Sequence, residues 1–152
     1  MNKISHIIIH CSDSEFGNAA LIREWHLARG FKDIGYHLVV LNGWTAKGIF
    51  NGNLNGKVEH GRPIGDDDIL TGEEIGAHCL GYNHISIGVC FIGKSRFTGE
   101  QRETARGLLY PLMYKYDIPL ENVLGHCETK SGCDEGMTCP NMDMNEFRRL
   151  IK

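Results

Sequence analysis

The residues ISIGVCFI occupy positions 85–92, and almost every side chain in this run is apolar. A short and nearly continuous apolar run predicts a β-strand that is covered on both faces. Outward from it, residues 4–9 (ISHIII), 34–41 (IGYHLVVL) and 122–125 (NVLG) predict further strands. Residues 42–63 are rich in Gly and Asn and contain an Asn-Gly pair, which predicts a β-hairpin or an elaborated loop.

Helix signals lie between and after these runs. Asn18 is a predicted N-cap whose helix ends at Gly30. The sequence TGEQ at 98–101 predicts a capping box that opens a longer helix, which Pro111 is expected to end or kink. The sequence DMNE at 143–146 predicts the start of a closing helix. Strands that alternate with helices predict an α/β fold, with a mixed central β-sheet flanked by helices.

The composition describes one folded domain. The chain has 152 residues, with 16 Lys and Arg against 19 Asp and Glu and a net charge of −3. We expect a single domain over residues 1–152, acting as a monomer. The lack of a basic excess argues against general nucleic-acid binding. The apolar runs are far shorter than the roughly 20 residues that span a bilayer. The first residues show no signal peptide, so we expect synthesis in the cytoplasm and no membrane association.

The six cysteines are not expected to form a disulfide framework, because a domain of this size needs no such cross-links. Cys11 and Cys90 lie beside or within apolar runs, where small buried thiols are common. Cys127 and Cys133 lie near the C-terminus, where they either pair in an oxidising space or stay free thiols. Cys139 stands apart from them in a Thr-Cys-Pro-Asn segment.

Two histidines share an unusual setting, since His10 and His126 each directly follow a predicted apolar strand. If those strands are parallel neighbours, both imidazoles project from the same edge of the sheet, where open α/β folds place their ligand sites. The segment after His126 is long enough to bring Cys139 back over that edge. Two imidazoles and one thiolate suit Zn²⁺ with an open fourth position. The alternative, that these histidines are ordinary core or surface residues, stays open on spacing alone.

Four blocks of sequence resemble one family in the right order. The first three blocks are residues 7–14 (IIIHCSDS), 22–37 (IREWHLARGFKDIGYH) and 76–89 (GAHCLGYNHISIGV). The fourth block runs from Gly125-His126 to Thr138-Cys139-Pro140. Together they resemble the zinc-dependent N-acetylmuramoyl-L-alanine amidases of the phage-lysozyme type, which share a fold with the peptidoglycan recognition proteins. The resemblance reaches nearly the full chain.

Carried over by position, the resemblance implies that His10, His126 and Cys139 hold zinc. It also implies that Tyr36 lies beside the metal, where the phenol orients water or donates to the developing oxyanion. Without the resemblance, Tyr36 is equally explained as an aromatic side chain of a strand that packs in the core. The family lysine two residues before the cysteine ligand is absent, because Met137 stands there.

The same resemblance places His78 and Asn83 on the wall of the peptidoglycan groove. Each has a simpler reading, since His78 could cap a turn and Asn83 could adopt a left-handed loop conformation. The ligand loop is longer than in compact members of the family, and Lys130 within it is a candidate replacement for the missing lysine. The remaining histidines are expected to be core or surface residues: His6, His26, His37, His60 and His84.

The activity implied is hydrolysis of the amide between N-acetylmuramic acid and L-alanine, with peptidoglycan as substrate. A lone catalytic domain of this kind fits a phage or prophage endolysin that acts on the cell wall after release, or an exported antibacterial effector. The alternative is a peptidoglycan-binding module of the same fold with weak or no hydrolysis. A regulator that binds another protein is a third reading. A zinc nucleobase deaminase is excluded, because the Pro-Cys-x-x-Cys motif that should follow His126-Cys-Glu is absent.

Overall fold

The computed structural model describes residues 2–152, which form a central five-stranded sheet and a separate two-stranded hairpin. In chain order the strands are β1 (His6–Cys11), β2 (Leu38–Val40), β3 (Trp44–Ala46), β4 (Ile49–Phe50), β5 (Val58–His60), β6 (Ser86–Phe91) and β7 (Val123–Gly125). The helices are α1 (Ala19–Ala28), α2 (Gly99–Tyr116), α3 (Lys130–Asp134) and α4 (Met144–Ile151). The order of strands in the sheet is β5-β2-β6-β1-β7.

The sheet is mixed, as predicted. Strands β2, β6, β1 and β7 run parallel, and β5 pairs antiparallel with β2 at one edge. All six residues of β6 are buried at the middle of the sheet, which confirms the interpretation of the apolar run at 85–92. Strand β1 lies between β6 and β7, so its side chains are buried on both faces.

Successive side chains of a strand point to opposite faces of the sheet, so the interior consists of two cores, one on each face. Ile87, Val89 and Phe91 of β6 belong to the larger core, which also contains buried residues of α2 and α4. Cys90, on the opposite face of β6, belongs to a smaller core with Ile22 of α1. His10 lies opposite Cys90 in the pairing of β1 with β6. It therefore faces the α1 side of the sheet.

Strand β2 is shorter than the predicted strand at 34–41. The backbone of Gly35 accepts from Ala77 N at 3.0 Å, and that of Tyr36 accepts from Arg62 N at 2.9 Å. These loop contacts replace part of the sheet hydrogen bonding before Leu38, so the regular strand begins there.

The hairpin predicted within 42–63 is present as β3 and β4. Its turn lies at Lys47-Gly48, where Gly48 has φ +74°, rather than at the Asn55-Gly56 pair. Gly56 also has a positive φ, of +84°, and an added Cβ there would lie 2.9 Å from the Glu100 carbonyl oxygen. The Asn-Gly pair therefore marks a close approach to α2.

The predicted helix starts are confirmed. Asn18 Oδ1 accepts from Leu21 N at 2.8 Å, and the Thr98/Gln101 capping box opens α2. Asp143 caps α4. The expectation for Pro111 is wrong in part, because α2 continues through it to Tyr116. Gly107, whose carbonyl loses its donor to the proline ring, is exposed, so water can satisfy that group.

Within residues 2–152, no helix combines the length and the apolar character needed to cross a lipid bilayer.

Candidate functional site

Two imidazoles meet at the carboxyl ends of β1 and β7. These strands are parallel neighbours with Ile9 opposite Gly125, so His10 and His126 occupy the next position on each. Their ring centroids lie 4.8 Å apart. His10 is the penultimate residue of β1 rather than the residue after it, and it is 1% exposed. The predicted juxtaposition of the two histidines is confirmed, and it follows directly from the parallel pairing.

Cys139 reaches the same edge on the loop between α3 and α4. Its carbonyl accepts from Cys127 N at 2.8 Å, and its Sγ accepts from Cys11 N at 3.3 Å. Between β7 and this loop the chain forms α3, whose N-cap Thr129 accepts from Gly132 N. Backbone hydrogen bonds to both neighbouring segments thus set the position of the sulfur.

The donor set fits a tetrahedral metal ion. The ligand atoms of His10, His126 and Cys139 all lie within 4.8 Å of one another. His10 Nδ1 is 3.9 Å from Cys139 Sγ. In tetrahedral zinc, Zn–N near 2.0–2.1 Å and Zn–S near 2.3 Å imply an N···S separation of about 3.6 Å. The separation of His10 and Cys139 is therefore close to the value that a shared zinc ion would give, and His126 lies in the same group.

The protonation states favour the imidazoles as ligands. Burial holds the pKa of His10 well below its ordinary value, and burial also lowers the pKa of His126. Both rings are therefore neutral near pH 7, with a lone pair on one nitrogen. The hydrogen bond with Cys11 and burial raise the pKa of the Cys139 thiol. A metal ion must displace that proton, since the thiolate is the ligand.

Tyr36 lies directly against this group. Its ring centroid is 4.9 Å from that of His10 and 5.4 Å from that of His26. Burial raises the pKa of the phenol well above its usual value, so it remains an O–H donor at neutral pH. The tyrosine thus lies in the same site as the candidate metal ligands.

His78 and Asn83 occupy different surroundings. His78 Nδ1 is 2.9 Å from His10 Nε2, and the ring is 9% exposed. Asn83 Oδ1 accepts from His78 N at 2.8 Å and from Cys79 N at 3.0 Å, which fixes the turn that carries His78. The structure brings His78 into the site, whereas Asn83 supports the turn beside it. Contact of either residue with substrate stays a prediction.

A cavity of about 540 Å³ opens over the three candidate ligands. Among residues 2–152, Arg29 is the one Lys or Arg in its lining, and Met137 also borders it. Lys130 pairs instead with Asp134 at 2.8 Å and does not line the cavity. Sequence reasoning missed Arg29 because it follows the last residue of α1 and carries no motif of its own. Glu135 also lies in the lining.

The other histidines have structural contacts or lie at the surface. His37 is fully buried: its Nε2 donates to Glu74 O at 2.7 Å and its Nδ1 accepts from Gly88 N at 2.9 Å. His26 Nδ1 accepts from Gly35 N at 2.8 Å and also borders the cavity. His60 and His84 are exposed.

All six cysteines are free thiols in this structure. Cys11 and Cys90 are buried, as predicted. Of the two alternatives for Cys127 and Cys133, the structure shows free thiols, with Cys133 Sγ donating to the carbonyl of Cys127 at 2.9 Å.

Comparisons with known proteins show the family of this chain. The sequence matches the family Amidase_2, N-acetylmuramoyl-L-alanine amidase, over residues 1–142. It is 34% identical to the endolysin of Escherichia phage T7 over 152 residues, which covers 93% of this chain and 83% of the relative.

Solved structures share the fold. The amidase LysC from Clostridium intestinale superposes with a TM-score of 0.71 at 22% identity, over 97% of this chain and 84% of its own. Bumblebee PGRP-SA superposes with a TM-score of 0.61 at 24% identity, over 92% and 77% of the two chains. The family match and the phage relative go beyond the fold. The chain belongs to the Amidase_2 family of N-acetylmuramoyl-L-alanine amidases.

Proposed function

We propose that the protein hydrolyses the amide bond between the lactyl group of N-acetylmuramic acid and L-alanine in peptidoglycan, with zinc held by His10, His126 and Cys139. The observation that carries this proposal is the convergence of the three ligand atoms within 4.8 Å at the floor of an open cavity. By likeness to the T7 endolysin, we place its action at the bacterial cell wall.

Zinc, when bound, would supply activation of water and polarisation of the amide carbonyl. The two neutral imidazoles leave the charge of the ion intact, and the single thiolate reduces it. His10 is buried within β1, whereas His126 and Cys139 are partly exposed toward the cavity. The side chains that would hold the ion thus border the cavity that is proposed to admit peptidoglycan.

Tyr36 is the proposed hydrogen-bond donor to the oxygen that gains negative charge during hydrolysis. Its phenol is neutral because burial raises its pKa, and it borders the same cavity as the ligands. One donor of this kind contributes about 10²–10³ in rate. A neutral phenol suits that role better than the role of a base.

Arg29 is the proposed source of positive charge that the family lysine would otherwise supply at Met137. Its guanidinium lies 5.2 Å from the centroid of the Phe31 ring, and both residues line the cavity. Stacking on an aromatic ring holds a guanidinium in place while leaving its N–H groups free to donate. Lys130 is not proposed for this role, because it pairs with Asp134.

The wall of the cavity next to β6 is formed by the segment that carries His78. We retain peptidoglycan contact by His78 and Asn83 as a prediction from the family resemblance. The hydrogen bonds of Asn83 indicate that its effect on binding would act through the turn at His78 and Cys79.

Purified peptidoglycan tests the proposal. Zinc-loaded protein should lower turbidity and release new N-terminal L-alanine, whereas His126→Ala should not. His84→Ala is the matched control, because His84 is exposed and outside the cavity lining. Retained binding to peptidoglycan without any cleavage by the zinc-loaded protein would overturn the proposal in favour of a binding module.

A further inference from the structure

We propose that His78, supported by Ser86, is a positioning residue that fixes the tautomer and orientation of His10, so that Nδ1 of His10 faces the metal. This inference rests on the proposed zinc site. It assigns a role to a buried side chain that is not one of the three candidate metal ligands.

The two nitrogens of His10 point to different partners. Nδ1 lies 3.9 Å from Cys139 Sγ, on the side of the metal ligands. Nε2 lies 2.9 Å from His78 Nδ1, and the two rings are nearly perpendicular, at 88°. This division leaves Nδ1 as the nitrogen available to a metal ion and Nε2 as the one that hydrogen-bonds to the protein.

The positions of the protons on His78 and His10 follow from the hydrogen bonds of Ser86. The Ser86 hydroxyl donates its one hydrogen to the carbonyl of Tyr82 at 2.7 Å. Its oxygen can therefore only accept from His78 Nε2, which is 3.4 Å away. With its proton on Nε2, His78 offers a lone pair at Nδ1 and accepts from His10 Nε2–H. His10 Nδ1 is then left without a proton, as a metal ligand must be.

Burial keeps water from replacing these contacts. Ser86 is fully buried and His10 is 1% exposed. A buried N–H group needs a partner, so the His10 ring cannot turn over without leaving Nε2–H unpaired. A hydrogen bond from the outer nitrogen of a ligand histidine is the usual means by which a protein orients it.

Two glycines make room for the His78 ring. A Cβ at position 76 would lie 2.6 Å from His78 Cδ2, and a Cβ at position 88 would lie 2.7 Å from His78 Cγ. Position 88 is in the central strand β6, where a side chain would ordinarily fill the interior. The space for the imidazole is therefore left by the backbone of β6 at Gly88 and by the loop at Gly76.

Three variants test the role through zinc affinity. His78→Leu removes the acceptor, and we expect zinc binding to weaken about 10–100-fold, the range for the loss of such outer contacts. His78→Asn places an amide oxygen near the position of Nδ1, and we expect it to recover most of the affinity. Ser86→Ala keeps His78 and should weaken zinc binding less than His78→Leu does. Competition with a chromophoric chelator measures each dissociation constant.

The tautomers provide a readout in the unaltered protein. Long-range ¹H–¹⁵N spectra of the zinc-loaded chain should show the proton of His10 on Nε2 and that of His78 on Nε2. Zinc coordination by His10 Nε2, or a His78 proton on Nδ1, would overturn the inference even if every variant failed to fold. Equal zinc affinity of folded His78→Leu and His78→Asn would also overturn it.

These measurements separate the inference from the proposed function. A chain that binds no zinc refutes both proposals. A chain that binds zinc with the expected tautomers and leaves peptidoglycan intact refutes only the proposed hydrolysis. A chain that cleaves peptidoglycan with the opposite tautomer of His10 refutes only the role of His78.

Discussion

The candidate metal site joins two regions of very different construction. His10 lies in β1 and is almost completely buried, and His126 directly follows the adjacent parallel strand β7. The loop after β7 supplies Cys139, and every residue from 133 to 138 is exposed. The backbone of His10 is held in the ladder between β1 and β6, whereas the sulfur depends on a few contacts to Cys11 and Cys127. The comparison teaches that the metal would be held by a rigid pair and by a third ligand that the metal itself helps to order.

The largest expected effect is on the loop side. Cys139→Ala should reduce zinc affinity and peptidoglycan hydrolysis by more than about 100-fold, because it removes a ligand rather than an outer contact. Cys133→Ala, which removes an exposed thiol near the end of α3, should retain both properties. Elemental analysis and release of L-alanine measure the two effects. Full activity of Cys139→Ala would show that the loop contributes no ligand.

Tyr36→Phe tests the contribution of the phenol beside His10 to hydrolysis. We expect kcat to fall about 10²–10³-fold, because the phenol O–H is lost, with zinc content unchanged. Tyr114→Phe is the control, since Tyr114 is 85% exposed. Kinetics on a soluble muropeptide separate kcat from KM. A change in zinc content alone, with normal turnover per bound zinc, would instead give Tyr36 a packing role.

Arg29→Ala tests whether α1 supplies the cation that the loop lacks at Met137. We expect a fall of about 10–100-fold in kcat/KM, the range for a charge-assisted hydrogen bond, and partial recovery in Arg29→Lys. Arg106→Ala, an exposed arginine on α2, should have no effect. Unchanged kinetics for Arg29→Ala would mean that this guanidinium does not act on the reaction.

A smaller effect concerns pH and the buried histidines of the metal-free protein. Burial lowers the pKa of His78 to about 3, whereas its value in the unfolded chain is near 6.5. Between these values the unfolded state binds more protons, so the free energy of unfolding should fall as the pH drops below about 6.5. Each such group contributes about 1.4 kcal/mol per pH unit.

Urea unfolding at several pH values measures this slope. His78→Asn should reduce this slope by the contribution of one group. A slope for His78→Asn equal to that of the unaltered protein would show that His78 is not held neutral by the fold.

The sheet region could be predicted from sequence to a greater extent than the loop region. The apolar runs before His10 and His126 indicated two strands, and parallel pairing brought the histidines together as expected. The shortening of β2 was missed, because it depends on hydrogen bonds from Ala77 and Arg62, far away along the chain. Local patterns carry no information about such contacts.

The residues around the metal ligands were harder to predict for the same reason. Arg29 enters the cavity because α1 ends beside it, which no periodic pattern reveals. The contact of His78 with His10 joins residues 68 positions apart and depends on the two glycines that leave room for the ring. The family resemblance assigned His78 to the substrate groove, whereas the structure adds its hydrogen bond to a candidate metal ligand.

The most direct test of the central claim is X-ray absorption at the zinc edge of the zinc-loaded protein. The account predicts one zinc per chain, with two nitrogen neighbours at about 2.0–2.1 Å and one sulfur neighbour at about 2.3 Å. The sulfur signal should disappear in Cys139→Ala and persist in Cys133→Ala. A spectrum of the unaltered protein without a sulfur neighbour, or a chain that retains no zinc, would contradict the account.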